Sequence, residues 1–468
     1  MKARGQLLVA LLVAAAVVAA AVYLDRDVGA RPLGAEAAAG VPSGAWFCPH
    51  GGGEKGWDVR IQLANPGTEP VPVRVRAISS KKPAPPQDHV VDPGSTLVVP
   101  VPGQGREAAT TVEYFGGFVA AGWLEHAGED ATGVAAEPCL PDTGVRWLLP
   151  DGTAAVEEND DHVVVMNPHA TEAVISLTLL TDGQRGLVRT EDWTNVTLRP
   201  YRSRAFSLNE NALGDTTVAT VVEVSVGRVA AATLGISTGG GIRGSVGLPA
   251  GARTQILPGA GDAGRTALPV MSTGQDPVAL SGTILEAETT QPIAGLADAA
   301  PAGETARTAP VTTGTPTTLV VQADGPGVAF ARRTFGVGTD QASTAGATAP
   351  AGAWILLPSV VGEPSNPAIV LANPGEDAAS VTLAALPAEG GTAPEPVTVE
   401  VPPLATVTAP EGFARATGTS SVLAIATAGT FVPVSASYAL GREGFATYAV
   451  AVGVRIPDAW VTEIGTGV

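Results

Sequence analysis

The sequence predicts an all-β protein: tandem immunoglobulin-like β-sandwich repeats behind an N-terminal transmembrane helix. Three observations predict it. Gly and Pro number 57 and 39 in 468 residues, a composition that punctuates short strands and interrupts long helices. Short runs alternate apolar and polar residues, which puts one face of a strand on a core and the other in water. A pair of sequence landmarks recurs at intervals of about a hundred residues, the mark of a repeat architecture. A β-propeller is the alternative arrangement of such repeats. A propeller blade has about four strands, and each repeat here supplies seven or eight, so each would have to furnish two blades.

Residues 1–24 read as a signal anchor. Lys2 and Arg4 precede an apolar run from Leu7 to Leu24, which Asp25, Arg26 and Asp27 end. Eighteen residues at about 1.5 Å each span about 27 Å, one bilayer crossing. The leading positive charges keep the N-terminus in the cytoplasm and send the rest of the chain out, giving a single-pass membrane protein. A cleaved signal peptide is the competing reading, with Ala19-Ala20-Ala21 at cleavage distance, and it gives a secreted protein. Both place the chain outside the cytoplasm. Residues 25–45 are rich in Gly, Ala and Pro and have no apolar period, so they read as a tether.

Four units follow, at residues 46–142, 143–250, 251–350 and 351–468. Trp46-Phe47-Cys48-Pro49 opens the first and returns as Trp147-Leu148-Leu149-Pro150, as Gln255-Ile256-Leu257-Pro258 and as Trp354-Ile355-Leu356-Leu357-Pro358. The spacings are 101, 108 and 99 residues. A second landmark keeps register with the first: Leu63-Ala64-Asn65-Pro66-Gly67, Val165-Met166-Asn167-Pro168 and Leu371-Ala372-Asn373-Pro374-Gly375. The third unit is degenerate. Its Val270-Met271-Ser272-Thr273-Gly274 keeps Val-Met and loses Asn-Pro.

Each landmark makes sense as β structure. Pro fixes φ, the Asn before it is extended, and Gly relieves the turn, so the Asn-Pro step reads as a hairpin corner. After the first corner, Val71, Val73 and Val75 alternate with Pro72, Arg74 and Arg76. In the second unit strands are expected near 147–149, 162–166, 173–180, 194–198, 203–207, 217–226, 229–236 and 244–248. No segment after Leu24 carries a long 3.6-residue period. The opening Trp residues read as core or junction plugs.

Cys48 and Cys139 are the only cysteines. In an exported chain an isolated pair reads as a disulfide, here closing nearly one whole unit. A two-Cys, two-His metal set of Cys48, His50, His126 and Cys139 is the other reading, but the Cys-Pro-His step chelates poorly and no C-x₂₋₄-C pair exists. No metal or other cofactor is expected.

The remaining motifs carry little chemistry. Gly235-Ile236-Ser237-Thr238-Gly239 matches G-x-S-x-G, but Gly240 and Gly241 follow where a helix would have to start, and all five His residues precede it. The same glycine run, ending Ile242-Arg243-Gly244, has no Lys, is not a phosphate-binding loop and reads as an exposed hairpin. Glu157-Glu158-Asn159-Asp160-Asp161 is the densest acidic cluster. Its spacing is not that of an EF-hand, and it reads as a solvated loop. The formal net charge of −18 argues against nucleic acid as a partner.

Taken together, the N-terminal apolar anchor, Trp46-Phe47-Cys48-Pro49 and the Leu-Ala-Asn-Pro-Gly corners at 63–67 and 371–375 resemble an uncharacterised family, a domain of unknown function. Its members are secreted or membrane-anchored proteins of high-GC Gram-positive bacteria. The resemblance implies a cell-envelope setting and brings no catalytic residues.

The functional expectation is a non-enzymatic, membrane-tethered extracytoplasmic scaffold or binding protein of the bacterial cell envelope. Its partner would be an envelope protein or a wall glycan, with the membrane engaged through the N-terminal helix alone. The alternatives are an enzyme or accessory of envelope polysaccharide metabolism, marked by a cleft with two carboxylates, and a secreted adhesin or lectin-like module, marked by exposed aromatic platforms.

Overall fold

Strands run through residues 43–460 of the computed structural model, which describes them apart from 54–55, 103–104, 128–132, 157–158, 184, 238–240, 260–264, 301–302, 314–315, 336–340, 358–364, 389–390, 419, 441–445 and 458–459. The expected transmembrane helix over 1–24 and tether residues 25–42 lie outside the described residues. Ser43 to Ala45, expected to end the tether, are strand. No helix among the described residues is long and apolar enough to cross a membrane.

The strands fall into four quarters. The first holds β1 (Ser43–Cys48), β2 (Asp58–Asn65), β3 (Val71–Ile78), β4 (Gln87–Val91), β5 (Ser95–Val101), β6 (Ala109–Phe115), β7 (Ala120–His126) and β8 (Val134–Pro138). The second holds β9 (Arg146–Leu149), β10 (His162–Asn167), β11 (Ala173–Thr181), β12 (Leu187–Val188), β13 (Val196–Leu198), β14 (Arg202–Ser207), β15 (Val218–Val226), β16 (Ala230–Ser237) and β17 (Gly241–Val246). The third holds β18 (Thr254–Gly259), β19 (Arg265–Ser272), β20 (Leu280–Leu285), β21 (Thr290–Pro292), β22 (Thr305–Thr312), β23 (Thr317–Ala323), β24 (Val328–Phe330), β25 (Arg332–Phe335) and β26 (Gln341–Thr344). The fourth holds β27 (Ala353–Leu356), β28 (Ser365–Asn373), β29 (Ala379–Leu386), β30 (Val397–Val401), β31 (Ala405–Thr408), β32 (Ser421–Ala428), β33 (Val432–Leu440), β34 (Ala446–Val452) and β35 (Val454–Arg455).

One topology is repeated in all four. The first sheet of each quarter runs β1-β6-β3-β4, β9-β15-β11-β12, β18-β23-β20-β21 and β27-β32-β29-β30. The second runs β5-β2-β7-β8, β14-β10-β16-β17, β22-β19-β25-β26 and β31-β28-β33-β34. The chain alternates between two open sheets. No quarter therefore contains the single four-stranded meander of a propeller blade, and the propeller alternative is corrected on this ground.

The alternation of sequence explains which face is inside. Val71, Val73 and Val75 on β3 are buried, and Pro72 between them is exposed. The two sheets of a quarter close on a shared core. In the second quarter Trp147 and Ile175 from one sheet meet Val163 and Phe206 from the other. Burying each such side chain contributes about 1.5–3 kcal/mol.

The landmarks are structural joints. The indole N–H of Trp46 donates to Val119 O at 2.7 Å, that of Trp147 to Val229 O at 2.9 Å and that of Trp354 to Phe431 O at 2.9 Å. All three acceptors lie in the same turn, between the sixth and seventh strands of the repeat. A left-handed glycine makes that turn in every quarter: Gly116, Gly227, Gly327 and Gly429 have φ between +74° and +82°. At Gly227 and Gly429 a Cβ would also sit 2.9 Å from a backbone carbonyl oxygen. The corner asparagines bridge the sheets. Asn65 Nδ2 donates to Glu69 O and Val91 O, Asn167 Nδ2 to Thr171 O and Leu198 O, and Asn373 Nδ2 to Asp377 O and Val401 O. Each Oδ1 accepts the backbone N–H two residues on. Cys48, ending β1, is bonded to Cys139, just after β8, and so joins the two sheets of the first quarter.

The quarters form a ring. Strands β8, β17, β26 and β34 pack against one another in cyclic order, so the eighth strand of each repeat lines the centre. Four joints close the circuit, each made by a hydroxyl residue at the edge of one quarter's second sheet. Ser203 N–H donates to Ser79 O at 3.2 Å and its hydroxyl to Glu107 O. Thr305 donates to Thr181 O at 3.2 Å. Thr406 N–H donates to Glu286 O at 3.0 Å, and its hydroxyl meets that of Thr318 at 2.9 Å. Thr96 bonds to Leu386, Pro387 and Ser421 between the first and fourth quarters.

Candidate functional site

The centre of the ring gathers the buried charges. Strand β17 carries Arg243, 2% exposed, from the glycine run. Its guanidinium meets Asp161 Oδ2, and its Nε lies 3.4 Å from Asp151 Oδ2. Asp161 immediately precedes β10, and Asp151 follows β9 by two residues. Arg333, on β25 of the third quarter, approaches Asp151 from the other side, with its Nε 2.9 Å from Oδ1. Two carboxylates and two guanidiniums thus form a buried chain that crosses from the second quarter to the third.

Local sequence makes room for it. At Gly235 a Cβ would lie 2.5 Å from Arg243 Cζ and 2.8 Å from Asp161 Oδ1. The first glycine of the G-x-S-x-G pattern is therefore a seat for the ion pair. At Gly244 a Cβ would lie 2.2 Å from the Trp123 ring, so this glycine lets an indole of the first quarter rest on β17. Asp161 is also held by the Thr153 N–H at 2.8 Å.

The environment sorts the carboxylates. Burial pushes Asp151 up, but Arg333 and Arg243 outweigh it and hold its pKa at about 2. Burial pushes Glu125 and Glu137 well above the ordinary carboxylate range, with Arg106 opposing at Glu125 and the Thr344 hydroxyl opposing at Glu137. Glu137 lies on β8 and Thr344 on β26, so that hydrogen bond spans the first and third quarters. Both Glu125 carboxyl oxygens are buried without a hydrogen-bond partner among the described residues. Asp160 is the wet end of the cluster, 3.6 Å from Arg106 Nε and 3.4 Å from His162 Nε2. Burial lowers the His162 pKa against the pull of Asp160.

Two motifs far apart in sequence meet here. Of the acidic run 157–161, expected to be a solvated loop, Glu157 and Glu158 lie outside the described residues, and the last residue, Asp161, is 0% exposed. Arg243, 82 residues on, provides the countercharge that allows this. Ser237 donates its hydroxyl to Asn159 Oδ1 at 3.0 Å, so the serine of the G-x-S-x-G match bonds to the acidic run. His50 is buried and bonded to Thr110 Oγ1 at 3.0 Å and Gly51 O at 2.6 Å; burial lowers its pKa to about 4. The sulfurs of Cys48 and Cys139 are bonded to each other and are not thiolates for a metal. Glu125 and Glu137 escaped the sequence reading. Their signal was a Glu inside an otherwise apolar strand, as in Ala-Ala-Gly-Trp-Leu-Glu and Val-Ala-Ala-Glu.

The model of a family of unknown function matches residues 104–411, from before β6 in the first quarter into the fourth. No curated protein matches the chain.

Proposed function

The chain belongs to this family, DUF5719, whose function is unknown, and from that premise we propose that it is a non-enzymatic scaffold or binding protein of the bacterial cell envelope. In this reading it is tethered by its N-terminal apolar helix, lies outside the cytoplasm, and is built of immunoglobulin-like sandwich units. One observation carries it. The serine of the G-x-S-x-G match and the buried cations are committed to structure: Ser237 to Asn159 and Arg243 to Asp161 and Asp151 within the second quarter, and Arg333 to Asp151 across the joint with the third. A closed ring of sandwiches then offers its outer sheet faces as a rigid binding surface. The partner is an envelope protein or a wall glycan, and the net charge of −18 argues against an anionic polymer. Crosslinking in intact cells, followed by mass spectrometry, should recover one stable envelope partner. The reading is overturned if the purified extracytoplasmic region hydrolyses a wall polymer and a single carboxylate substitution abolishes that activity.

A further inference from the structure

Carboxylates serve the cations of this chain unevenly. Arg60 pairs with Asp58, Arg74 with Asp88, Arg146 with Glu223, Arg185 with Asp215 and Arg415 with Glu411. At the joint between the first and second quarters the pairing stops. Arg76, Lys81, Lys82, Arg199, Arg202 and Arg204 form no ion pair among the described residues. The backbone gathers them. Ser203, between Arg202 and Arg204, donates its N–H to Ser79 O at 3.2 Å, and the Lys81 N–H donates to Ser79 Oγ at 3.2 Å. Tyr201 stands at the same joint with φ +52°, at the turn position that Gly94 fills in the first quarter. Its N–H donates to His169 O as that of Gly94 does to Gly67 O. A left-handed Tyr costs about 1–2 kcal/mol. Its ring carries Arg76 across the joint, with Cζ 4.8 Å from the centroid, and its carbonyl accepts Arg202 Nη1 at 3.1 Å. Arg204 Cζ lies over the Phe206 ring at 4.7 Å. Stacking holds a guanidinium by its face and leaves its in-plane N–H donors for another acceptor. Glu107 lies at this joint too, with its Oε1 accepting the Ser80 hydroxyl at 2.6 Å.

We propose that this basic joint is the docking surface for an acidic segment, a run of Asp and Glu, of a protein partner. Lys81, Lys82, Arg199 and Arg204 are exposed, so the charge faces solvent. Aromatic stacking positions Arg76 and Arg204 in advance, and a guanidinium fork matches a carboxylate with two parallel hydrogen bonds. The net charge of −18 does not oppose a short segment, because at physiological salt charges are screened over about 8 Å. A long polyanion would also meet the remaining surface, where the third and fourth quarters expose Glu288, Glu304, Glu395 and Glu400. A protein segment therefore fits the patch better than an anionic wall polymer. This inference rests on the reading of the chain as a binding protein and adds the surface and the chemistry of its partner.

Binding of a fluorescent oligoglutamate peptide to the full chain in a non-ionic detergent tests it. The peptide should bind, and its affinity should fall as salt is raised. Lys82→Glu with Arg199→Glu and Arg204→Glu should weaken binding about tenfold or more. Arg253→Glu with Arg307→Glu, exposed cations of the third quarter, should leave it unchanged. Should the first set fail to fold, Lys82→Gln with Arg199→Gln, confined to exposed side chains, should still weaken binding about threefold. Polygalacturonate, a long chain with the same carboxylates, should bind more weakly per carboxylate. The proposal is overturned if the peptide does not bind, if the third-quarter variant weakens it as much, or if polygalacturonate binds more tightly. It is also overturned if sedimentation without peptide shows the chain associating with itself through the patch, which would give the surface to a second copy. Any of these results removes the patch alone; the binding-protein reading falls separately, by hydrolysis of a wall polymer.

Discussion

Gln255 and Phe330 are bonded to each other twice: the Gln255 side-chain amide donates to Phe330 O at 3.0 Å, and the Phe330 N–H donates to Gln255 Oε1 at 2.8 Å. Gln255 stands where the other three quarters have Trp, and Phe330 stands where they have the carbonyl that accepts the indole N–H. The degenerate quarter has lost the aromatic ring and kept the hydrogen bond. A third contact, Gln255 to Ala345 O at 3.0 Å, extends the joint to the segment after β26.

Gln255→Leu should therefore destabilise the protein more than its modest change of volume suggests. Leu leaves the Phe330 N–H and two carbonyls buried without that partner, at a cost of about 2–5 kcal/mol. Chemical denaturation with the midpoint and slope both fitted checks it. A loss below about 0.5 kcal/mol would show that water or backbone movement replaces the glutamine.

Arg243→Met should cost about 3–5 kcal/mol, because it removes the guanidinium that pairs with buried Asp161 and leaves only the pull of Arg333. Adding Asp161→Leu should recover most of that loss, since an apolar pair of similar volume is tolerated where a lone charge is not. Thermal unfolding of the two single variants and the double variant gives the coupling directly. Additive losses would rule out the pairing as the source of the effect.

The carboxylates predict opposite pH dependences. The Asp151 pKa lies below its unfolded value, so its contribution is present above about pH 4 and lost as the pH falls toward 2. Glu125 and Glu137 lie above theirs, so their contribution is fully present below about pH 4 and declines as the pH rises toward their folded values. Glu137→Gln keeps a neutral group able to bond Thr344. It should flatten the fall in stability on the alkaline side and leave the acid limb unchanged. Urea unfolding from about pH 2 to pH 9 reads both limbs.

Reducing the Cys48–Cys139 bond should loosen the first quarter. A closed loop of 91 residues corresponds to about 4–5 kcal/mol of chain entropy as an upper estimate. Peptide mapping without reductant should recover the linked peptides, and Cys48→Ala with Cys139→Ala should lower Tm. Two free thiols in the purified protein would contradict the pairing.

Much of the local fold was legible because its causes are local. The second quarter was expected to hold strands near 173–180 and 203–207, and β11 and β14 occupy those places within a residue or so. Val71, Val73 and Val75 announce their shared face by spacing alone, and Asn-Pro announces its corner. The ring was not legible. Its joints depend on Thr96, Ser203, Thr305 and Thr406, single hydroxyls at strand edges, and nothing in sequence marks an edge hydroxyl that meets another quarter. The expected tandem array therefore becomes a closed circuit. The buried charge chain was hidden for a similar reason. Asp161 and Arg243 look like solvated residues of loops until two ladders, β10 with β16 and β16 with β17, bring them side by side.

The glycine turn, the indole anchor and the edge hydroxyl recur in successive quarters, and the joint from the fourth quarter back to the first is of the same kind as the other three. In symmetry terms this is a heterologous contact applied four times that closes, the arrangement of a cyclic homotetramer carried on one polypeptide. Closure fixes the copy number. A solenoid can gain or lose a repeat at modest cost because each repeat touches only its neighbours along a line. Here, removing one quarter would leave three rotations that no longer complete a turn, with an unmatched donor edge and an unmatched acceptor edge on each molecule, a geometry that propagates into open chains of molecules.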